Sequence, residues 1–245
     1  MTPSIKTIAI LLVCLILNVS GWSLTEKSRL IVLAEMGNEP DEMEQMMQLL
    51  MYSLEIDIEG LISVTGTHLK PDNVHPYRSV THPELFLKLI DGYEKVYHNL
   101  HRHAEGWMNP FDLRVTVSSG QPEYGMAGVG EGKSSEGSNW IIQQVTNDDT
   151  RPVFIVVNAG SNTLAQALFD YRKNHSREEV ETFVAKLRVF ENGAQGDAGA
   201  WINHEFPDIH WIRGLHQTKN FGGPFEDQLG PHTWKPYAYT TKGQD

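Results

Sequence analysis

The densest gathering of reactive side chains is the run Glu35-Met36-Gly37-Asn38-Glu39-Pro40-Asp41-Glu42, with four carboxylates in eight residues. At that spacing carboxylates repel one another unless a cation or protons neutralise them. Several hard oxygens aimed at one spot suit Ca²⁺. A second explanation needs no ligand. Acidic residues favour the first turn of a helix, where the macrodipole is positive, and Pro40-Asp41-Glu42 is an ordinary helix opening. Three weaker clusters share the setting: Thr65-Gly66-Thr67-His68, Asn158-Ala159-Gly160-Ser161-Asn162 and Glu191-Asn192-Gly193-Ala194-Gln195-Gly196-Asp197. Each follows an apolar run. For the cluster at Asn158, plain helix capping by Ser161 or Asn162 is the simpler explanation.

These clusters need elements to position them. Apolar runs predict strands over Arg29–Ala34, Gly60–Thr65, Val153–Val157, Leu187–Phe190 and Ile209–Ile212. Between them, helical periodicity predicts Asp41–Ser53, with Met43, Met46, Met47 and Leu50 as core packing. It also predicts His82–Leu100, with Leu85, Phe86, Leu89, Ile90, Tyr93, Val96, Tyr97 and Leu100 on one face. Further helices are expected over Ser138–Asn147 (Ser138 as N-cap), Asn162–Arg172, from Ser176 to Lys186, and Ala198–Phe206. Residues 101–137 read as long surface loops, and the tail from Asn220 has Gly and Pro breaks and little periodicity. Alternating apolar strands and helices argue for an α/β fold: an open, mostly parallel sheet with helices on both faces. Such sheets bind ligands at the carboxyl ends of their strands. Glu35, Thr67, Asn158 and Asp197 are then expected at one edge.

The chain has 245 residues and net charge −11. That fits one sizeable α/β domain, and it excludes a polyphosphate binder, which needs a cationic footprint. Lys6 followed by the apolar run Ile8–Leu17 reads as a signal peptide over residues 1–21, which predicts a secreted or periplasmic protein with no membrane contact after cleavage. Residues 24–245 form the expected domain. The one cysteine, Cys14, lies in that leader. The mature chain is therefore expected to have no disulfide, thiolate nucleophile or cysteine-bound metal. Six Trp and eight Tyr could supply stacking platforms for a sugar or serve as core residues.

Residues Arg29–Thr67 and Ser118–Asp208 resemble the nucleoside-hydrolase-like domain of a bacterial family of cellulose-binding proteins. The family's run D-x-G-N-E-P-D-D is E-M-G-N-E-P-D-E here. Ser119-Gly-Gln-Pro-Glu-Tyr-Gly-Met126, Val129-Gly-Glu-Gly-Lys-Ser-Ser-Glu-Gly137, Gly160-Ser-Asn-Thr-Leu-Ala-Gln-Ala-Leu168, Asp197-Ala-Gly-Ala-Trp-Ile202 and Phe206-Pro-Asp208 also match. A more distant likeness reaches the inosine/uridine-preferring nucleoside hydrolases. That resemblance implies Ca²⁺ held by Glu35, Glu42 and the Ala159 carbonyl, with Glu35 also the general base. It implies that Asp41 binds ribose hydroxyls and that Asn38, Glu39, Thr67, Asn158 and Asp197 contact substrate. The ligand would be a small-molecule nucleoside or carbohydrate.

The departures from the family are specific. Glu35 and Glu42 replace aspartates, and each adds a methylene; a misplacement of about 1 Å can cost ~10²-fold in rate. Gln195-Gly196 stands where the family is more acidic. The family continues past this length into a last ligand-bearing stretch and a sandwich-like C-terminal domain, which are expected to be absent here. No motif marks a leaving-group acid: His204, His210, His216 and His232 sit in none. The expected activity is hydrolysis of N-glycosidic bonds by a calcium-activated water. The alternatives are a non-catalytic carbohydrate-binding protein using the same crevice, and a degenerate homologue without a ligand.

Overall fold

A computed structural model describes residues 26–37, 40–66, 69, 81–192 and 196–214. The expected leader, Asn38, Glu39, Thr67, His68, Gln195 and the tail histidines His216 and His232 lie outside the described residues.

Strand β1 (Ser28–Ala34) leads into helix α1 (Pro40–Leu50) and β2 (Ile56–Ser63). Then come α2 (Pro83–His103), α3 (Pro110–Val115), β3 (Val117–Ser119), a 3₁₀ turn (Gly125–Gly128) and α4 (Glu136–Thr146). The second half runs β4 (Val153–Val157), α5 (Ser161–Asn174), α6 (Arg177–Ala185), β5 (Leu187–Asn192), α7 (Ala198–Glu205) and β6 (His210–Gly214). The sheet order is β3-β2-β1-β4-β5-β6, and every pairing is parallel. The order reverses between β1 and β4. A crevice opens at such a switch point, at the carboxyl ends of the two strands.

Two apolar layers sandwich the sheet. On one face Ile31, Leu33, Ile155, Val157, Leu187 and Val189 pack with residues of α4 to α7. On the other, Val32, Ala34 and Ile58 pack with Met43, Met46 and Leu50 of α1 and Phe86, Ile90 and Tyr93 of α2. Fully burying each such side chain is worth about 1.5–3 kcal/mol. The second layer stops short of β6. Phe154 of β4 is 43% exposed and Ile212 of β6 is 52% exposed, whereas their neighbours Val153, Ile155 and Val157 are buried. The unbroken apolar run of β4 therefore does not mean burial on both sides.

Several local expectations are corrected. Residues 101–137 are not one loop. They hold the end of α2, a six-residue α3, the three-residue edge strand β3 and a 3₁₀ turn. These pieces are too short to show a period, and their order comes from pairing β3 with β2. Ser138 is not the N-cap of α4. Ser135 is, and Ser138 completes the capping box by accepting from Ser135 N at 2.8 Å. Met47 is 54% exposed, so the α1 stripe reduces to Met43, Met46 and Leu50. β2 begins at Ile56, because Asp57 and Glu59 are taken up by cations at its start.

Candidate functional site

Glu35 is the first residue past β1, and Glu42 lies in the first turn of α1. Both are nearly inaccessible, at 2% and 5% exposure. Gly66, just beyond β2, leaves room for Glu35. A Cβ built there would stand 2.3 Å from Glu35 Oε2 and 2.8 Å from the Ala159 Cβ. Glu35, Gly66 and Ala159 thus meet where β1, β2 and β4 end.

Among the described residues, Asp41 and Glu42 are not balanced by a base. Burial pushes the Glu42 carboxyl well above the usual carboxylate range, and the adjacent Asp41 and the Glu35 charge push it further. With both groups ionised, Asp41 Oδ1 and Glu42 Oε2 are buried acceptors without a donor among the described residues. A proton on Glu42 shared with Asp41 relieves this, and so would a cation.

Asn158 closes the crevice from the β4 side. Its backbone N donates to Leu33 O at 2.9 Å, and its Nδ2 donates to Gln45 Oε1 of α1 at 3.0 Å. Ala159 is buried beside it, and Gly160 turns the chain at φ 63°, in the left-handed region that favours glycine. A Cβ on Gly160 would sit 2.4 Å from the Val64 Cβ.

Neither Ser161 nor Asn162 caps α5; Gly160 holds that position with no side-chain bond. The polar residues here do a different task. Asn162 Nδ2 donates to Glu123 O at 2.7 Å and Gly125 O at 3.1 Å. Thr163 Oγ1 accepts from Gln121 N at 3.1 Å, and Gln166 grips both polar groups of Gly130. Together they pin the stretch from Gln121 to Gly130 along one wall of the crevice.

Asp197 belongs to that wall. It is exposed, and its Oδ1 accepts from Met126 N at 2.9 Å. No contact joins it to Glu35, Asp41 or Glu42 among the described residues. Glu191, which opens one of the weaker clusters but was assigned no role there, is 1% exposed near the end of β5. It accepts from Arg213 Nε at 2.7 Å, and its Oε1 lies where a Cβ on Gly199 would be 2.5 Å away. An acid closing an apolar run, as Glu35 does after β1, was the available signal.

Glu35, Glu42, Asp41 and the Ala159 carbonyl offer hard oxygens, and the buried acceptors of Asp41 and Glu42 fit a cation in their chemistry. No group of three or more His, Cys, Asp or Glu is already assembled around a metal-sized space among the described residues. A cavity of about 420 Å³ lies away from this site, lined by Arg172, His175, Arg177 and Phe206 among others. Its cations are already neutralised, Arg172 by Glu205 and Arg177 by Glu181, each at 2.7 Å. No helix among the described residues is long and apolar enough to cross a membrane.

Comparison with known proteins bears on the whole domain. Residues 29–242 match the family described as "Cellulose-binding Sde182, nucleoside hydrolase-like domain". Among solved structures, the chain is similar to a nucleoside hydrolase-related hypothetical protein from Saccharophagus degradans that is associated with carbohydrate metabolism. The two are 36% identical with a TM-score of 0.67, over 76% of this chain and 44% of that one. This chain therefore matches less than half the length of that protein. No curated protein matches. With a reversal of strand order at the crevice and a family match across the domain, the chain belongs to the Sde182 cellulose-binding family, in its nucleoside hydrolase-like domain.

Proposed function

We propose that the protein is exported and hydrolyses an N-glycosidic bond of a nucleoside or related glycosyl compound in the crevice between β1 and β4. The observation that carries this reading is the convergence of Glu35, Asp41 and Glu42 with the β4–α5 turn, where burial and mutual repulsion hold Glu42 toward its neutral form. Ca²⁺ held by Glu35, Glu42 and the Ala159 carbonyl would offset the charges of Asp41 and Glu42 and would polarise a water. Glu35 would take the proton from the attacking water. Asp41, the least buried of the three acids, binds the sugar hydroxyls, and Asn158 fixes the sugar from the β4 side.

The test is release of free base and free reducing sugar from a nucleoside panel, with and without chelator. Metal content and melting with added calcium are measured in parallel. A ligand at a hundred times its dissociation constant stabilises by about 2.7 kcal/mol. Glu35→Gln should lower turnover by ~10²–10⁴-fold and leave the fold intact, because it removes the base but almost no volume. Full activity in Glu35→Gln would refute this mechanism.

A second reading is carbohydrate binding without turnover. It is favoured by the absence of a ready-made metal cage among the described residues and by the family's description as cellulose-binding. Retention on cellulose with no product from any nucleoside would establish it.

A further inference from the structure

A second concavity lies at the other edge of the sheet, where β5 and β6 begin. Helices that cross between parallel strands run back against them, so the end of α5, the end of α7 and Pro207-Asp208 before β6 meet there beside α6. The space is about 420 Å³, within the roughly 300–1,000 Å³ of small-molecule sites. We infer that this cavity is a saccharide-binding site, separate from the crevice, which takes the pyranose rings of a neutral oligosaccharide. The inference stands on the chemistry of the cavity and extends the carbohydrate-binding reading above to a second place.

The lining supplies an apolar floor and a flat wall. Val184 and Phe206 are buried and form the floor. The ring of His175 stacks on Tyr171, with centroids 3.8 Å apart and 12° between the planes, and Tyr171 stacks in turn on Phe183 at 4.3 Å. His175 Nδ1 donates to Tyr171 O at 2.9 Å, which fixes the ring. His175 is otherwise exposed, so the face turned from Tyr171 is open to a ligand. Arg172 is held as firmly. Its Nη1 donates to Glu205 Oε2 at 2.7 Å, and its Cζ stands 4.8 Å from the centroid of the Phe206 ring.

Charge narrows the class of ligand. The guanidinium groups of Arg172 and Arg177 stand against the carboxylates of Glu181, Glu205 and Asp208. An anion meets an excess of negative charge. A cation meets no carboxylate that is both buried and unpaired: Glu205 is held by Arg172, Glu181 by Arg177, and Asp208 is exposed. A neutral ligand suits the site best. Each guanidinium–carboxylate pair sets donors beside acceptors, and neighbouring sugar hydroxyls, which both donate and accept, match that pattern. The flat C–H face of a pyranose matches the His175 ring and the apolar floor.

The test is titration of the full chain with cellobiose, followed by calorimetry. Wild type should bind it. Ala185 lines the cavity and is exposed, so Ala185→Trp should fill the space and weaken binding by more than about tenfold. Glu205→Ala removes one acceptor and releases Arg172, and should weaken binding about tenfold. Asp41→Asn, in the crevice, should leave binding at the cavity within about twofold, as expected for distant sites. Binding that is lost in Asp41→Asn and unchanged in Ala185→Trp overturns the cavity assignment and leaves the carbohydrate reading of the crevice standing. No binding of cellobiose, xylobiose or maltose overturns both. A dimer in sedimentation that Ala185→Trp dissolves gives the cavity to a second copy and overturns the saccharide assignment. Should Ala185→Trp fail to fold, Glu205→Ala carries the comparison, because its side chain is 31% exposed at the last residue of α7.

Discussion

The two ends of the same central strand handle charge in opposite ways. At the start of β1, Arg29 is fully buried and meets acceptors on every side. Its Nε donates to Glu59 Oε1 at 2.7 Å, and its guanidinium reaches Gln144 O at 2.6 Å and Arg151 O at 3.2 Å. Glu59 is delivered by the register shift between Leu30 and Ile31, which makes it an extra residue on β2. Arg151 extends the network to Asp149 and Asp57 at 2.6 and 2.8 Å. At the finish of β1, Asp41 and Glu42 face no Lys or Arg among the described residues. Acid groups that a fold needs only for itself are matched by bases. Asp41 and Glu42, unmatched among the described residues, are suited to take up a proton or a cation.

That contrast can be broken from either side. The largest effect is expected at the matched end. Arg29→Met should destabilise by about 3–5 kcal/mol, because removing this fully buried partner leaves the half-buried Glu59 carboxylate and several carbonyls without their donor. Urea unfolding measures it, and a change below 1 kcal/mol would mean the network is not structural.

Next comes Gly66→Ala. Its Cβ would press on Glu35 Oε2 and on the Ala159 Cβ, and the latter cannot swing aside. A loss of about 1–3 kcal/mol is expected, as for other overpacked sites, together with loss of ligand binding. An unchanged melting curve and full binding would show that Glu35 does not sit against Gly66.

At the unmatched end the sign should reverse. Glu42→Gln, measured in chelator at pH 7, should raise the melting temperature by about 2–4 °C, the response of a chain this size to roughly 1 kcal/mol. A fall in chelator would mean that Glu42 is already compensated.

The smallest effect is the pH dependence. The folded pKa of Glu42 lies above the ordinary 4.5. The stability tied to its proton is therefore complete below that value and lost as pH rises through the raised one. Asp149 is lowered from 3.8 to about 2 by Arg151. Its contribution is present above 3.8 and lost as pH falls through about 2. Glu42→Gln should flatten only the upper limb of the stability profile, and Asp149→Asn only the acid limb. Both limbs moving together in either variant would contradict the separation of the two ends.

The α/β sheet was legible because β1, β4 and β5 are apolar runs bounded by glycines and acids, and these carry most of the pairing. β3 was not, since three residues have no period and its strand character depends on β2. The placement of Glu35 and Asn158 at strand ends was legible, because each closes an apolar run. The roles of Asn162, Thr163 and Gln166 were hidden. Their partners are backbone groups of the stretch 121–130, and backbone groups leave no mark on composition.

The switch point also says something about how this molecule folds. β3-β2-β1 and β4-β5-β6 are each built by the chain in succession, but the seam between them joins residue 29 to residue 153. Closing so long a loop costs entropy before any contact repays it, and parallel pairings over such distances form slowly. Glu35 and Glu42 belong to one half, and Asn158 and Ala159 to the other. The crevice therefore exists only after the seam has zipped, and a ligand captured there would report the last stage of folding.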